Sequence, residues 1–292
     1  MPDEIIKSIA GGGLIRATAM MSTAIVDEAA RRHQTTPVAT VALGRALTGA
    51  LLLAATQQKS GRLTMRVLGD GPLGAIVIDA GTDGDVRGYV QFPDTEVPVN
   101  EHGTFDVGTS VGRGMLHVTY AFDYGTSYTS TVELASGEIG GDLTRFLAVS
   151  EQVPSAVMLG VYIEPDGSVG VAGGLIVSLM PGAGDEIAER LENSIASVAT
   201  FTEMWRGGMN LEAILNEVLG GFAVEILERS ADIAFRCRCS RERILGAMQT
   251  LPQEELQTMI REDHGAEVTC HFCADKYKFS EPDLEELLTI SA

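Results

Sequence analysis

Helical spacing of apolar positions opens the chain, gives way to short β-rich runs, and returns near the C-terminal third. Thr23–His33 and Pro37–Gln57 predict two helices. Thr36 stands where an N-cap oxygen would accept the first free N–H groups, and Pro37 suits the first helical position because its missing donor costs nothing there. Gly44 and Gly49 lower helix propensity, which makes sense where the helix packs closely against a sheet. The strongest apolar stretch, Ala46–Ala55, is interrupted by Thr48 and Gly49 and falls well short of the roughly 20 residues a bilayer span requires. It predicts a buried core helix.

Between Arg62 and Ala135 the runs Leu63–Leu68, Ala75–Asp79, Val86–Phe92, Met115–Phe122 and Tyr128–Leu134 predict strands. Turns at Gly69-Asp70-Gly71 and Gly81–Gly84 suit antiparallel hairpins. A short helix around Asp142–Ser150 is expected before two further strands, Ala156–Ile163 and Val169–Leu179. From Gly182 to about Asp232 no strand signal is read: Ile187, Leu191, Ile195, Val198, Thr202 and Trp205 recur at spacings of three and four, predicting one amphipathic helix, followed by a shorter helix over Leu211–Leu219. The last segment predicts helices around Arg241–Met248 and Glu254–Arg261 and a final helix with a Ser280/Asp283 capping box. The expected class is α+β: an N-terminal domain of β-sheet with packed helices (1–181), a helical linker (182–232) and a small C-terminal four-cysteine zinc-binding domain (233–292).

Composition narrows the function. The chain is 45% hydrophobic and 21% charged, the balance of a globular protein, and its 21 Lys and Arg against 40 Asp and Glu leave a net charge of −19. That sign opposes binding to a phosphate backbone. Asp3 and Glu4 stand where a secretion signal would carry cations, so the expected location is the cytoplasm, with neither nucleic acid nor membrane as partner.

Two catalytic templates occur by chance. Gly69–Gly74 satisfies G-x-G-x-x-G, but Pro72 and the following β-like run deny it the helix N-terminus a dinucleotide needs. Gly108–Gly112 satisfies G-x-S-x-G, yet a strand follows where a nucleophile elbow requires a helix, so a glycine-rich turn is expected. No catalytic residue is assigned, and the chain is expected not to be an enzyme. His33, His102 and His117 are far in sequence from any ligand set, whereas His264 and His271 flank or interrupt the second cysteine pair and are possible substitute ligands.

All four cysteines, Cys237, Cys239, Cys270 and Cys273, fall in the last fifth of the chain. A cytosolic chain of this size rarely needs a disulfide staple, so metal or redox chemistry is the more natural use. Four thiolates satisfy tetrahedral Zn²⁺ and leave no open position for water, which describes a structural or redox site and not a hydrolytic one. Arg236, Arg238, Arg241, Arg243, Lys276 and Lys278 are expected to lower the thiol pKa values and offset the surplus charge. Cysteines two apart, such as Cys237 and Cys239, can also close a strained, easily reduced disulfide. A module of this size is marginal on its own core, while structural zinc contributes ~10–16 kcal/mol in small domains, so losing the metal should unfold it.

The C-x-C and C-x-x-C pairs, within Phe235–Ser240 and Cys270–Cys273, together with Ser150–Ser155 and Gly173–Gly182, resemble the heat-shock protein 33 family of redox-regulated chaperones. The resemblance runs essentially the whole chain. It implies an ATP-independent holdase of the stress response whose reduced form holds one Zn²⁺ per chain on Cys237, Cys239, Cys270 and Cys273 and is inactive. It further implies that oxidation joins Cys237 to Cys239 and Cys270 to Cys273, expels zinc, unfolds the C-terminal module and linker, and favours a homodimer that binds unfolding client proteins. Ile187, Leu191, Ile195, Val198 and Trp205 are then the candidate client-binding residues, since exposed apolar surface binds other exposed apolar surface. The negative charge suits a protein that must stay dissolved while exposing such surface. Two other readings remain open on the cysteines alone: a zinc-ribbon nucleic-acid binder, opposed by charge, and a thiol–disulfide oxidoreductase, opposed by the lack of βαβ surroundings around C-x-x-C.

Overall fold

The longest helix is enclosed by two sheets. The computed structural model describes residues 2–97 and 105–290, and the chain divides into two compact units, Met1–Arg236 and Cys237–Ala292. In the first, strands β1 (Glu4–Ala10) and β2 (Ile15–Met21) precede helices α1 (Thr23–His33) and α2 (Pro37–Thr56). Then come β3 (Gly61–Gly69), β4 (Ala75–Gly81), β5 (Asp85–Val90), a single helical turn α3 (Val107–Val111), β6 (Gly114–Phe122), β7 (Ser127–Glu133), α4 (Gly140–Val149), β8 (Ser155–Ile163) and β9 (Val169–Leu179). The unit ends with α5 (Asp185–Ser197), α6 (Phe201–Arg206), α7 (Leu211–Val218), β10 (Val224–Ser230) and β11 (Ala234–Phe235).

One sheet runs β10-β1-β2-β9-β8, all antiparallel, and the other β11-β5-β4-β3-β6-β7, antiparallel apart from the short parallel pair β11–β5. By length and composition α2 passes as a membrane span, yet it packs on strands of both sheets and 16 of its 20 residues are buried. Its glycines allow this. A Cβ on Gly44 would lie 2.6 Å from Val26 Cγ1 and 2.9 Å from Val161 Cγ2, and one on Gly49 would lie 2.4 Å from Leu143 Cδ1. The close packing expected of these two positions is therefore present, against α1, β8 and α4.

The outer face of the five-stranded sheet carries a second core. Ile6, Ile15, Ala17, Ala19, Leu175 and Val177 are buried beneath α5, α6 and α7. Segment 182–232 thus acts as a cover for an apolar sheet face.

Several local expectations change. The stripe from Ile187 to Trp205 is not one helix: Thr200 starts a new one, its hydroxyl accepting from Glu203 N–H while the Glu203 carboxylate accepts the Thr200 N–H, so the chain breaks at Val198. Val224–Ser230, in the segment expected to hold no strand, is an edge strand on β1. Strands β1 and β2 lie ahead of Thr23, where the apolar pattern predicts no element. Thr36 occupies the N-cap position of α2, but its hydroxyl donates to the Thr95 carbonyl instead of capping the helix. The G-x-S-x-G segment is the helical turn α3, capped by Asp106, and β6 follows it. Gly69–Gly74 lies at the β3–β4 connection, as its Pro72 requires.

The second unit contains α8 (Arg241–Met248), α9 (Gln253–Thr258) continuing into a π-turn (Met259–Asp263), the hairpin β12 (Gly265–Thr269) and β13 (Lys276–Ser280), and α10 (Glu281–Ile290). Met248, Leu256, Phe279, Leu284 and Leu287 form its small buried core. Ser280 N–H and Oγ each lie 2.7 Å from the Asp283 carboxylate, forming the predicted cap at the start of α10.

Candidate metal centre

The two cysteine pairs sit on different local scaffolds. Cys237 and Cys239 lie in an extended stretch that ends where Ser240 caps α8, its oxygen accepting from Arg243 N–H. Cys270 and Cys273 occupy the turn of the β12–β13 hairpin, closed by Cys270 N–H donating to the Asp275 carbonyl at 2.9 Å and Ala274 N–H to the Cys270 carbonyl at 2.8 Å. Ala274 takes φ of 60°, the left-handed conformation that folds the C-x-x-C turn back on itself.

All four sulfurs lie within 4.8 Å of one another. Cys237 Sγ is 3.8 Å from Cys270 Sγ, and Cys239 Sγ is 3.4 Å from Cys273 Sγ. A tetrahedron with Zn–S bonds of about 2.3 Å has edges of about 3.8 Å, so this spacing suits four thiolates around one ion. It is far longer than the ~2.05 Å of a disulfide. Cys273 is buried and the other three are half-buried. The donor set, four thiols and no oxygen ligand, fits Zn²⁺.

The electrostatics differ from the sequence expectation. Burial pushes the Cys270 and Cys273 thiols up, so bare thiols here would hold their protons. Five of the six flanking cations have other partners. Arg241 lies 4.4 Å over the Phe279 ring and 2.7 Å from Asp283, and Arg243 donates to the Arg238 carbonyl at 2.8 Å. Lys276 and Lys278 pair with Glu267, and Arg236 belongs to the other unit, where it pairs with Asp85 and Asp232. A metal cation bound among the sulfurs would supply the positive charge that favours their thiolate forms. One polar group beside the cluster is not suggested by sequence spacing: Tyr277 Oη, 3.1 Å from Cys239 Sγ.

Neither His264 nor His271 belongs to the four-sulfur group; His264 pairs with Glu281. His117 Nδ1 bonds Thr131 Oγ1, and His102 lies outside the described residues.

In the first unit, the proposed client-binding residues share one cluster. Leu191 is buried, and Ile187, Ile195, Val198 and Trp205 are half-buried against the outer face of the five-stranded sheet. Phe201, Met204, Leu211, Ile214, Leu215 and Val218 are buried more deeply on the same face and were not singled out, although the last four follow i, i+3, i+4, i+7 spacing.

A family model described as Hsp33 protein matches residues 3–280. The chain is 45% identical over 291 residues to the 33 kDa chaperonin of Nostoc punctiforme, covering 99% of this chain and 96% of that one. It is 48% identical over 291 residues to the 33 kDa chaperonin of Symbiobacterium thermophilum, covering 99% and 97%. Its fold is similar to the crystal structure of the 33 kDa chaperonin from Thermotoga maritima, with a TM-score of 0.92, 35% identity and 99% of each chain covered.

Proposed function

The chain belongs to the Hsp33 family, and from that premise we propose that it is a redox-regulated, ATP-independent holdase that binds unfolding proteins under oxidative stress. The observation carrying this reading is the convergence of four thiols within 4.8 Å in a unit whose buried apolar cluster, among the described residues, is Met248, Leu256, Phe279, Leu284 and Leu287. Bound by Cys237, Cys239, Cys270 and Cys273, one Zn²⁺ supplies the cross-link that such a small core lacks, worth ~10–16 kcal/mol in small domains.

In the oxidised form Cys237 is joined to Cys239 and Cys270 to Cys273. Each pair of thiolates gives up two electrons to one peroxide molecule, which takes two protons from solvent and leaves as two waters. A disulfide offers no thiolate, so the donor set no longer fits the metal and the C-terminal module (233–292) unfolds. Segment 182–232 then loosens from the core domain (1–181). Its departure uncovers both the sheet face around Ile15, Leu175 and Val177 and its own stripe of Ile187, Leu191, Ile195, Val198 and Trp205. These surfaces bind clients, the oxidised protein acts as a dimer, and the site of action is the cytoplasm.

The test treats the reduced, zinc-loaded full-length protein with peroxide and mild heat. One zinc per chain should reach a chromogenic chelator, helical circular dichroism should fall, and aggregation of a thermally unfolding client should be suppressed. Full client protection by the reduced zinc form, or protection gained while zinc stays bound, overturns the reading.

A further inference from the structure

The last residues of the first unit join its two sheets. β10 is an edge strand of the five-stranded sheet, on β1, and β11 is an edge strand of the six-stranded sheet, on β5. Ala231, Asp232 and Ile233 alone lie between them, so the link has little slack. Arg236, the residue after β11, directly precedes Cys237.

The hold on β11 is specific and small. Ala234 N–H donates to the Gly84 carbonyl at 3.1 Å, and Arg236 N–H donates to the Val86 carbonyl at 2.9 Å. Ile233, 9% exposed, belongs to the core around α2, and Phe235 packs on the same core. A Cβ on Gly84, whose φ is 88°, would lie 2.1 Å from the Asp232 carbonyl oxygen, so this approach requires glycine. The exposed Arg236 guanidinium spans Asp85 at 2.6 Å and Asp232 at 3.2 Å.

β10 in turn reaches the helices that cover the sheet face. Arg229 bonds Glu4 on β1 at 2.8 Å and also Glu212 on α7. Phe222 and Val224, where the chain enters β10, pack in the cluster beneath the cover, and Arg190 of α5 lies 4.1 Å over the Phe222 ring. Five successive residues of β10, Glu225–Arg229, are exposed, so the strand has little core of its own. A contiguous path of contacts thus runs from the residue before Cys237 to α5 and α7. We propose that residues 224–236 are a strap whose release from β5 lets the cover leave the sheet. While Ile233 and Arg236 are seated, β10 stays paired with β1 and holds α7 through Arg229. Chain that comes loose at Cys237 reaches the cover only by unseating Ile233. The proposal rests on the holdase reading for its trigger at the thiols, but the strap's hold on the cover belongs to the reduced protein and is tested there.

The test measures amide hydrogen exchange by mass spectrometry in the reduced, zinc-loaded full-length protein. Ile233→Ala should raise exchange by about tenfold or more in residues 85–90, 211–218 and 224–236 together, as for emptying a buried aliphatic site, while α2 stays as protected as in the wild type. Arg236→Met, which breaks only the two exposed ion pairs, should raise it about threefold in the same segments. In the wild type under peroxide and mild heat, residues 232–236 should lose protection no later than 211–218. The proposal is overturned if 211–218 keeps the wild-type rate in both variants, if α2 exchange rises equally in both, or if the oxidised wild type frees 211–218 while 232–236 stays protected. An oxidised wild type that releases zinc with 211–218 still protected defeats the holdase reading alone, and the reduced variants still decide the strap.

Discussion

The Tyr277 hydroxyl approaches the Cys239 sulfur at 3.1 Å, close enough to donate a hydrogen bond to a thiolate held there. That bond draws electron density from sulfur and slows its attack on an oxidant. Tyr277→Phe keeps the ring against the small C-terminal core and removes the donor. Zinc release under a fixed peroxide excess, followed with a chromogenic chelator, should quicken by about tenfold, since a hydrogen bond to a charged group is worth at least about 1.5 kcal/mol. An unchanged rate would mean that the hydroxyl does not bond the thiolate.

Phe201 anchors α6 to the sheet. It is fully buried, and a Cβ on Gly173 would lie 2.5 Å from its ring, so β9 leaves the space that the ring fills. Phe201→Ala should cost about 3–5 kcal/mol of local stability, the range for emptying a buried aromatic site. The reduced, zinc-loaded variant should then bind the dye ANS more strongly than the wild type. Dye binding equal to the wild type would show that the cover stays docked without this anchor.

The two glycines of α2 should respond unequally to a methyl group. At Gly44 the obstacles are Val26 and Val161, β-branched side chains with stiff χ1 angles on two different elements. At Gly49 the near obstacle is the tip of Leu143, which can rotate. Gly44→Ala should therefore destabilise by about 1–3 kcal/mol. Gly49→Ala should come close to neutral, because the helix-propensity gain of about 1 kcal/mol offsets the crowding. Paired urea melts decide it; equal losses at both positions would contradict the packing argument.

What the chain reveals of itself depends on how far apart the cooperating residues lie. The α2 helix is legible because its apolar positions and Pro37 act locally, and the thiol cluster because two short spacings already dictate two close pairs of sulfurs. Strands β1 and β2 escape notice because both of their faces are covered, leaving Ile15–Met21 without alternation: five of its seven residues in succession, Ala17–Met21, are buried. The break after Val198 is written in Thr200 and Glu203, but the apolar spacing runs through it and masks the cap. Val224–Ser230 is mostly exposed, so no core-facing pattern marks it as a strand. Least legible is the cavity of about 610 Å³ in the first unit, whose lining residues Arg16, Tyr120 and Glu151 are brought to one place only by tertiary structure.

Glu151 and Asp283 should give opposite pH signatures. Burial holds the Glu151 carboxyl above its ordinary value, so its stabilising contribution is complete below the unfolded-state value and is lost as pH rises through the folded one. At neutral pH the charged, unpaired side chain is a cost, reduced by its partial exposure to water. Glu151→Gln should therefore raise the melting temperature slightly at neutral pH, and the difference should vanish below about pH 4. Asp283 is the reverse case. Its hydrogen bonds to Ser280, with Arg241 beside it, hold the carboxyl down to about 2, so its contribution is present above the unfolded-state value and lost as pH falls toward 2. Asp283→Asn should lower the melting temperature of the C-terminal unit at neutral pH and converge with the wild type in acid. Differences that do not change with pH would show that neither carboxylate acts through its charge.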